Sequence, residues 1–138
     1  LDRTVLAILS NAYREEKLEN GEERVVMKIH PALAPVKVAV LPLVKKDGLP
    51  ELAREIMAKL KLDFNCQYDE KDSIGKRYRR QDAIGTPLCV TIDHDSLQDN
   101  CVTLRDRDTM TQERIPISEL FQRVDEKVNM RSLLSQLV

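Results

Sequence analysis

Asp72-Ser-Ile-Gly-Lys-Arg-Tyr-Arg-Arg-Gln-Asp-Ala-Ile-Gly-Thr-Pro87 decides how the rest of the chain is read. The segment predicts one short helix. Asp72 or Ser73 caps its start, Gly85 ends it in a left-handed turn, and Pro87 forbids continuation. At about 100° per residue, Ile74, Tyr78, Gln81 and Ile84 share one side. Lys76, Arg79 and Arg80 fan out opposite, with Arg77 on the flank of the apolar stripe. One side suits a sheet, and the other offers three cations to something negative. Asp82, the only acid in the helix body, falls away from the cations. A solvated charged face is the ordinary alternative for such a helix.

Working outward, Val36-Lys-Val-Ala-Val-Leu41 is a β-branched run suited to an interior parallel strand. Gly48-Leu-Pro50 opens a helix striped by Leu52, Ile56 and Leu60. Phe64 to Tyr68 and Leu88 to Ile92 predict a second and a third strand. This alternation requires right-handed crossovers and a parallel core. Cys101 to Asp106 and Gln112 to Ile117 then form an antiparallel hairpin. A helix from Ser118 carries Leu120, Phe121, Val124 and Val128, and Met130 to Leu137 continue as a short helix or tail. Before all this, Asp2 to about Glu16 reads as a helix, Glu15 to Arg24 as a polar connector, and Val25 to Ile29 as a short strand. Pro31 and Pro35 bracket an extended entry. The expected fold is α/β: a mixed sheet of about five strands, three parallel plus the hairpin, with helices on both faces.

With 42% apolar and 33% charged residues, the 138-residue chain is a globular domain long enough for a real core. Its net charge of −1 means that any nucleic-acid contact must come from a local patch. No Trp, three Tyr and two Phe rule against a multi-ring stacking platform. Cys66, Cys89 and Cys101 lie in strand-like runs without a CxxC, which predicts reduced thiols and a cytoplasmic setting. His30 and His94 have no second ligand at metal-binding spacing, so no metal site is expected. There is no membrane-length apolar run and no signal-peptide pattern. No catalytic motif is present either. Asp93-His94-Asp95-Ser96 has the residue types of a nucleophilic triad, but neighbours along a turn cannot orient one another, so it reads as a loop.

Alternation in the hairpin sends Val102, Leu104, Ile115 and Ile117 to the core and Thr103, Arg105, Arg107, Gln112 and Arg114 to the other face. Asp106 and Asp108 add acceptors near the turn. Cross-strand ion pairing accounts for any one of them. Taken together beside the basic helix, they predict one continuous seat for an unpaired RNA loop read on its base edges.

DSIGKRYRRQDAIGTP followed by VTLRDRDTMTQERIPISEL, with LAPVKVAVLPLVKKDGLPELA before it, resembles the C-terminal anticodon-binding domain of class II aminoacyl-tRNA synthetases. The likeness runs from Leu33 to Leu120. The GKRYRR…D..G.P pattern is shared with prolyl, threonyl and histidyl enzymes, whereas VAVLPL and RDRDTM favour the dimeric glycyl type. LDRTVLAIL resembles the tail of motif 3 of the catalytic domain.

The resemblance implies residues 1–16 as the end of a catalytic domain, 17–33 as a connector and 34–138 as the anticodon-binding domain. Leu1, Asp2 and Arg3 would be ATP-binding, with Arg3 the contacting residue. ATP and Mg would belong to a catalytic part missing from this fragment, which itself holds no catalytic residue. The implied partner is the anticodon arm of glycine tRNA. Lys76, Arg79 and Arg80 would hold phosphates, Arg77 would join them as a tRNA-binding residue, and Arg105 and Arg107 with Asp106 and Asp108 would read base edges. The parent would be a homodimer and the fragment a monomer. The alternative is a protein-interaction or accessory-subunit domain sharing the fold without binding RNA. A flavodoxin-like enzyme would need a phosphate loop after Leu41, which Pro42 to Gly48 does not supply.

Overall fold

The computed structural model describes residues 2–19 and 21–135. The chain opens with α1 (Asp2–Ala12) and an antiparallel hairpin, β1 (Tyr13–Lys17) and β2 (Glu23–Met27). A 3-10 turn at Pro31–Leu33 leads to β3 (Val38–Pro42), α2 (Leu49–Leu60), β4 (Cys66–Tyr68), α3 (Ile74–Ile84) and β5 (Leu88–Ile92). The one-turn α4 (Ser96–Asp99), β6 (Cys101–Asp106), β7 (Gln112–Pro116), α5 (Ile117–Val128) and α6 (Met130–Ser135) complete it. The main sheet has the order β4-β3-β5-β6-β7. β3 runs parallel to β4 and β5, and β6 and β7 return antiparallel. This is the expected mixed sheet.

Burial explains the order. β3 and β5 are buried at every position, as central strands covered on both faces must be. On one face Val38, Val40, Val90 and Val102 pack against Ile56 of α2 and against Leu120 and Val124 of α5. On the other, Ala39, Leu41 and Cys89 receive Tyr78 of α3. The small Ala39 and Cys89 leave room for that ring, whose hydroxyl shares a 2.5 Å hydrogen bond with Thr91 Oγ1. All three cysteines are free. Burial pushes the Cys89 thiol up to about 12 and the Cys66 thiol up to about 11, so both stay protonated at neutral pH.

The N-terminal region departs from expectation. The first helix stops at Ala12 because Tyr13-Arg-Glu-Glu-Lys17 pairs as a strand, from Tyr13 opposite Met27 to Lys17 opposite Glu23. Much of the expected connector is therefore hairpin, and the expected break between residues 16 and 17 falls inside β1. The Pro31–Pro35 entry contains the 3-10 turn, capped by His30 Nδ1 accepting from the Ala32 amide. α1 has its helical stripe, yet Val5, Leu6, Ile8 and Leu9 are all exposed. With Ile29, Leu33 and Ile84, three of them (Val5, Ile8 and Leu9) border an apolar cleft of about 450 Å3.

Candidate nucleic-acid interface

α3 begins at Ser73, whose hydroxyl accepts from the Lys76 amide, and ends at Gly85 with φ of 87°. The two caps hold the basic residues in one turn-by-turn register across the sheet. Lys76 and Arg80 are exposed and Arg79 is partly so. Lys76 makes no side-chain hydrogen bond or ion pair among the described residues. Arg80 donates to Asp69 Oδ2 and to Asp72 Oδ2, both at 2.7 Å. The hydrogen bond from Arg80 is the main cause holding the Asp72 carboxyl below its usual range. Arg79 reaches Asp82 Oδ2 only at 3.8 Å.

The buried side of α3 is more polar than the sequence implied: Arg77, Tyr78, Gln81 and Asp82. Arg77 is expected among the tRNA-binding residues, but its side chain turns inward. It donates to the Pro42 carbonyl at 2.5 Å, the Leu43 carbonyl at 3.1 Å and the Asp69 carbonyl at 3.3 Å. Arg77 thereby ties α3 to the end of β3. Its Nε has no partner among the described groups, and burial lowers its pKa.

The hairpin face is the larger correction. Arg105 and Arg107 do lie opposite Val102 and Leu104, as alternation requires. That face is not open, however, because α3 and β2 roof it. Arg105 is 3% exposed; it grips Asp82 at 2.9 and 3.2 Å and stacks 4.6 Å from the Tyr78 ring centroid. Arg107 is 2% exposed and donates to the Gly85 carbonyl at 2.8 Å and the Ile29 carbonyl at 2.7 Å. Asp82, which falls on the side away from the cations, is wholly buried and also accepts from Arg24 of β2 at 3.0 Å. Arg24 in turn donates to Glu16 of β1 and to the Arg107 carbonyl. The one acid in α3 is thus the counter-charge for two buried guanidiniums, as burial of charge demands.

Asp106 caps the hairpin turn, accepting from the Asp108 and Thr109 amides, and pairs with Lys127 at 2.9 Å. Burial pushes its carboxyl up, but Lys127 and the turn amides outweigh this and hold it low. Asp108 pairs with Arg107 at 3.0 Å. Arg114 is clasped by Asp93 and Asp99. The expected continuous seat is therefore divided. Lys76, Arg79 and Arg80 of α3 face solvent, while Arg105 and Arg107 serve as internal fastening. Of the residues expected to bind ATP, Arg3 is exposed on α1, and Leu1 and the Asp2 side chain lie outside the described residues.

A sequence profile of the family described as "Anticodon binding domain" matches residues 37–127, well over half of the chain. The chain belongs to that family. The chain is similar at high identity to curated glycine–tRNA ligases. Glycine–tRNA ligase of Borrelia hermsii is 59% identical over 124 residues, covering 90% of this chain and 28% of the relative. That of Macrococcus caseolyticus is 58% identical over 127 residues, covering 92% and 27%. The chain thus spans little more than a quarter of the length of these relatives.

Two solved structures share the anticodon-binding fold. The RNA binding domain of threonyl-tRNA synthetase from Cryptosporidium parvum Iowa II superposes with a TM-score of 0.66 at 24% identity, over 73% of this chain and 26% of that one. Prolyl-tRNA synthetase from the same species gives 0.67 at 20%, over 81% and 31%.

Sequence reasoning missed Arg24 and Gln67. Arg24 shares the buried face of β2 with Val26, two residues on, so an inward cation facing the lone acid of α3 was the available signal. Gln67 sits between the half-buried Cys66 and Tyr68 on an edge strand, which sends it to the α3 side.

Proposed function

We propose that this domain binds the anticodon arm of a tRNA, specifically glycine tRNA, as the anticodon-binding part of a glycine–tRNA ligase. The observation that carries the reading is the outward face of α3, where Lys76, Arg79 and Arg80 stand on one side of a helix whose other side is fixed to the sheet. Phosphate recognition needs cations held in register but not consumed by buried partners. Lys76 meets this outright. Arg80 meets it because exposed ion pairs are weak and are readily exchanged for a phosphate. The second-nearest reading, a protein-interaction domain of this fold, lacks a comparable observation.

In the longer protein this domain would hold the anticodon so that the acceptor end reaches the catalytic site, contributing to rate through positioning. ATP and Mg2+ are assigned to that catalytic part. Arg3 is the residue here proposed to touch ATP, and residues 1–16 are proposed to correspond to the motif 3 tail. Among the described residues no group of three or more His, Cys, Asp or Glu is placed to hold a metal, and no helix is long and apolar enough to cross a membrane. A homodimeric parent and a cytoplasmic setting complete the proposal. Asp106 and Asp108 remain candidates for base contact only if the turn gives up its own hydrogen bonds.

The test is binding of glycine tRNA as a function of salt. Three phosphate contacts give a log–log slope of about −2 to −3. Replacing Lys76, Arg79 and Arg80 together by Ala should flatten that slope and weaken binding to every RNA sequence alike. Salt-insensitive binding, or binding untouched by the triple replacement, rejects the reading.

A further inference from the structure

The free edge of β4 and the flank of α3 enclose a cleft of about 500 Å3. Its lining holds apolar Ala83 and Ile84, the ring of Tyr68, the amides of Gln67 and Gln81, the cations Lys71 and Arg80, and the Asp69 carboxylate that pairs with Arg80 in an exposed, exchangeable ion pair. The amides belong to a relay. The Thr86 hydroxyl donates to Gln81 Oε1 at 2.8 Å, and Gln81 Nε2 donates to Gln67 Oε1 at 2.8 Å. Thr86 and Gln81 are buried, at 0% and 2% exposure, whereas Gln67 is exposed on the edge strand. The relay therefore starts in the interior and ends at the surface, with the Gln67 amino group left over as a donor at its outer end.

A long surface amide held from behind has already lost the freedom that binding would otherwise have to remove. Its oxygen is taken, so what it offers is a pair of N–H groups suited to an acceptor edge. Beside it lie an apolar surface and two cations. Those three chemistries together match one splayed nucleotide: a flat face, a hydrogen-bonding edge and a phosphate. Lys76 and Arg80 stand one helical turn apart and lead along α3 to the cleft, which places it in line with the phosphate face.

We infer that this cleft receives a single unpaired base of the RNA loop, with its face on Ala83 and Ile84 and its acceptor edge on the Gln67 amide. Lys71 and Arg80 take the flanking phosphates. The N3/O2 edge of cytosine and the O6/N7 edge of guanine both present such acceptors. Base reading thereby moves from the hairpin turn, whose acids are engaged, to the opposite end of the sheet. The inference rests on the RNA-binding reading of α3 and adds a reader residue to it.

The experiment measures affinity of the 138-residue chain for a stem–loop RNA carrying the glycine anticodon, and for a series in which each loop nucleotide in turn is made abasic. The unaltered chain should show one position at which base removal costs about tenfold. Gln67→Met keeps length and neutrality but removes the donor. It should abolish the penalty at that position, leaving the other penalties and the salt slope in place. Ala83→Leu, which fills the cleft from an exposed helix position, should do the same. Equal weakening of every RNA by Gln67→Met, an unchanged penalty pattern, or no singled-out position in the unaltered chain overturns the inference. If salt-dependent binding persists in those cases, the phosphate reading stands without it. Absence of salt-dependent binding altogether removes both.

Discussion

A Cβ added to Gly85 would lie 3.0 Å from Ile29 Cδ1, 3.2 Å from the Met27 carbonyl oxygen and 3.3 Å from Met27 Cβ. The same residue has φ of 87°, a conformation that side chains resist. Two costs therefore coincide at one position, backbone strain and collision with a neighbouring strand. Gly85→Ala should destabilise the chain by about 1–3 kcal/mol, read as a lowered urea midpoint with an unchanged slope. Half of this was legible. The glycine after a helical run announces a left-handed stop, but no local pattern says that β2 passes so closely beneath it. Arg105 teaches the same lesson. Its face of the strand followed from alternation, whereas its burial depends on Asp82, 23 residues earlier on α3, and on the Tyr78 ring beside it.

α3 is an element with two jobs, and its buried side is held by charge as well as by apolar packing. Asp82 neutralises Arg24 and Arg105, so removing it strands two buried guanidiniums without a counter-ion. Asp82→Ala should cost about 3–5 kcal/mol. Arg24→Ala leaves Asp82 still gripped by Arg105 and removes a smaller set of bonds, so a loss of about 1–3 kcal/mol is expected. Denaturant unfolding of both variants checks the order, and the reverse ranking would contradict the assignment of Asp82 as the shared counter-ion. The helix itself, its caps and its solvent-facing cations could all be read from sixteen residues. The side of Asp82 could be read, since it falls away from the cations; what could not be read are its partners, Arg24 of β2 and Arg105 of β6, which come from distant parts of the chain. The parallel core was the most legible part, since runs such as Val38–Pro42 are buried on both faces and have no alternation to misjudge.

At the scale of the whole molecule, several carboxylates tie separate elements together, and most titrate low. Glu16 is held below its usual range, first by the hydrogen bond from Lys28 and further by Arg24, against the upward push of burial. For Asp93, burial pushes up but the Arg114 and Ser96 hydrogen bonds outweigh it. Asp106 behaves likewise through Lys127. A carboxyl whose folded pKa is depressed contributes stability that is present above its unfolded value, near 4, and is lost as pH falls through the folded one. Denaturant midpoints should therefore stay level from about pH 8 to pH 5 and decline below about pH 4. A midpoint that rises on acidification would mean these pairs do not contribute to stability.

The docked N-terminal hairpin has a consequence for where this unit begins. The family profile starts at residue 37, yet the cooperative body reaches back at least to Glu16, through Arg24 and the carbonyl of Ile29. A version trimmed to the profile would uncover the underside of Gly85, deprive Asp82 of one guanidinium and leave Arg107 without a carbonyl it now caps. The profile marks only the stretch it matches; the part that must fold together is longer.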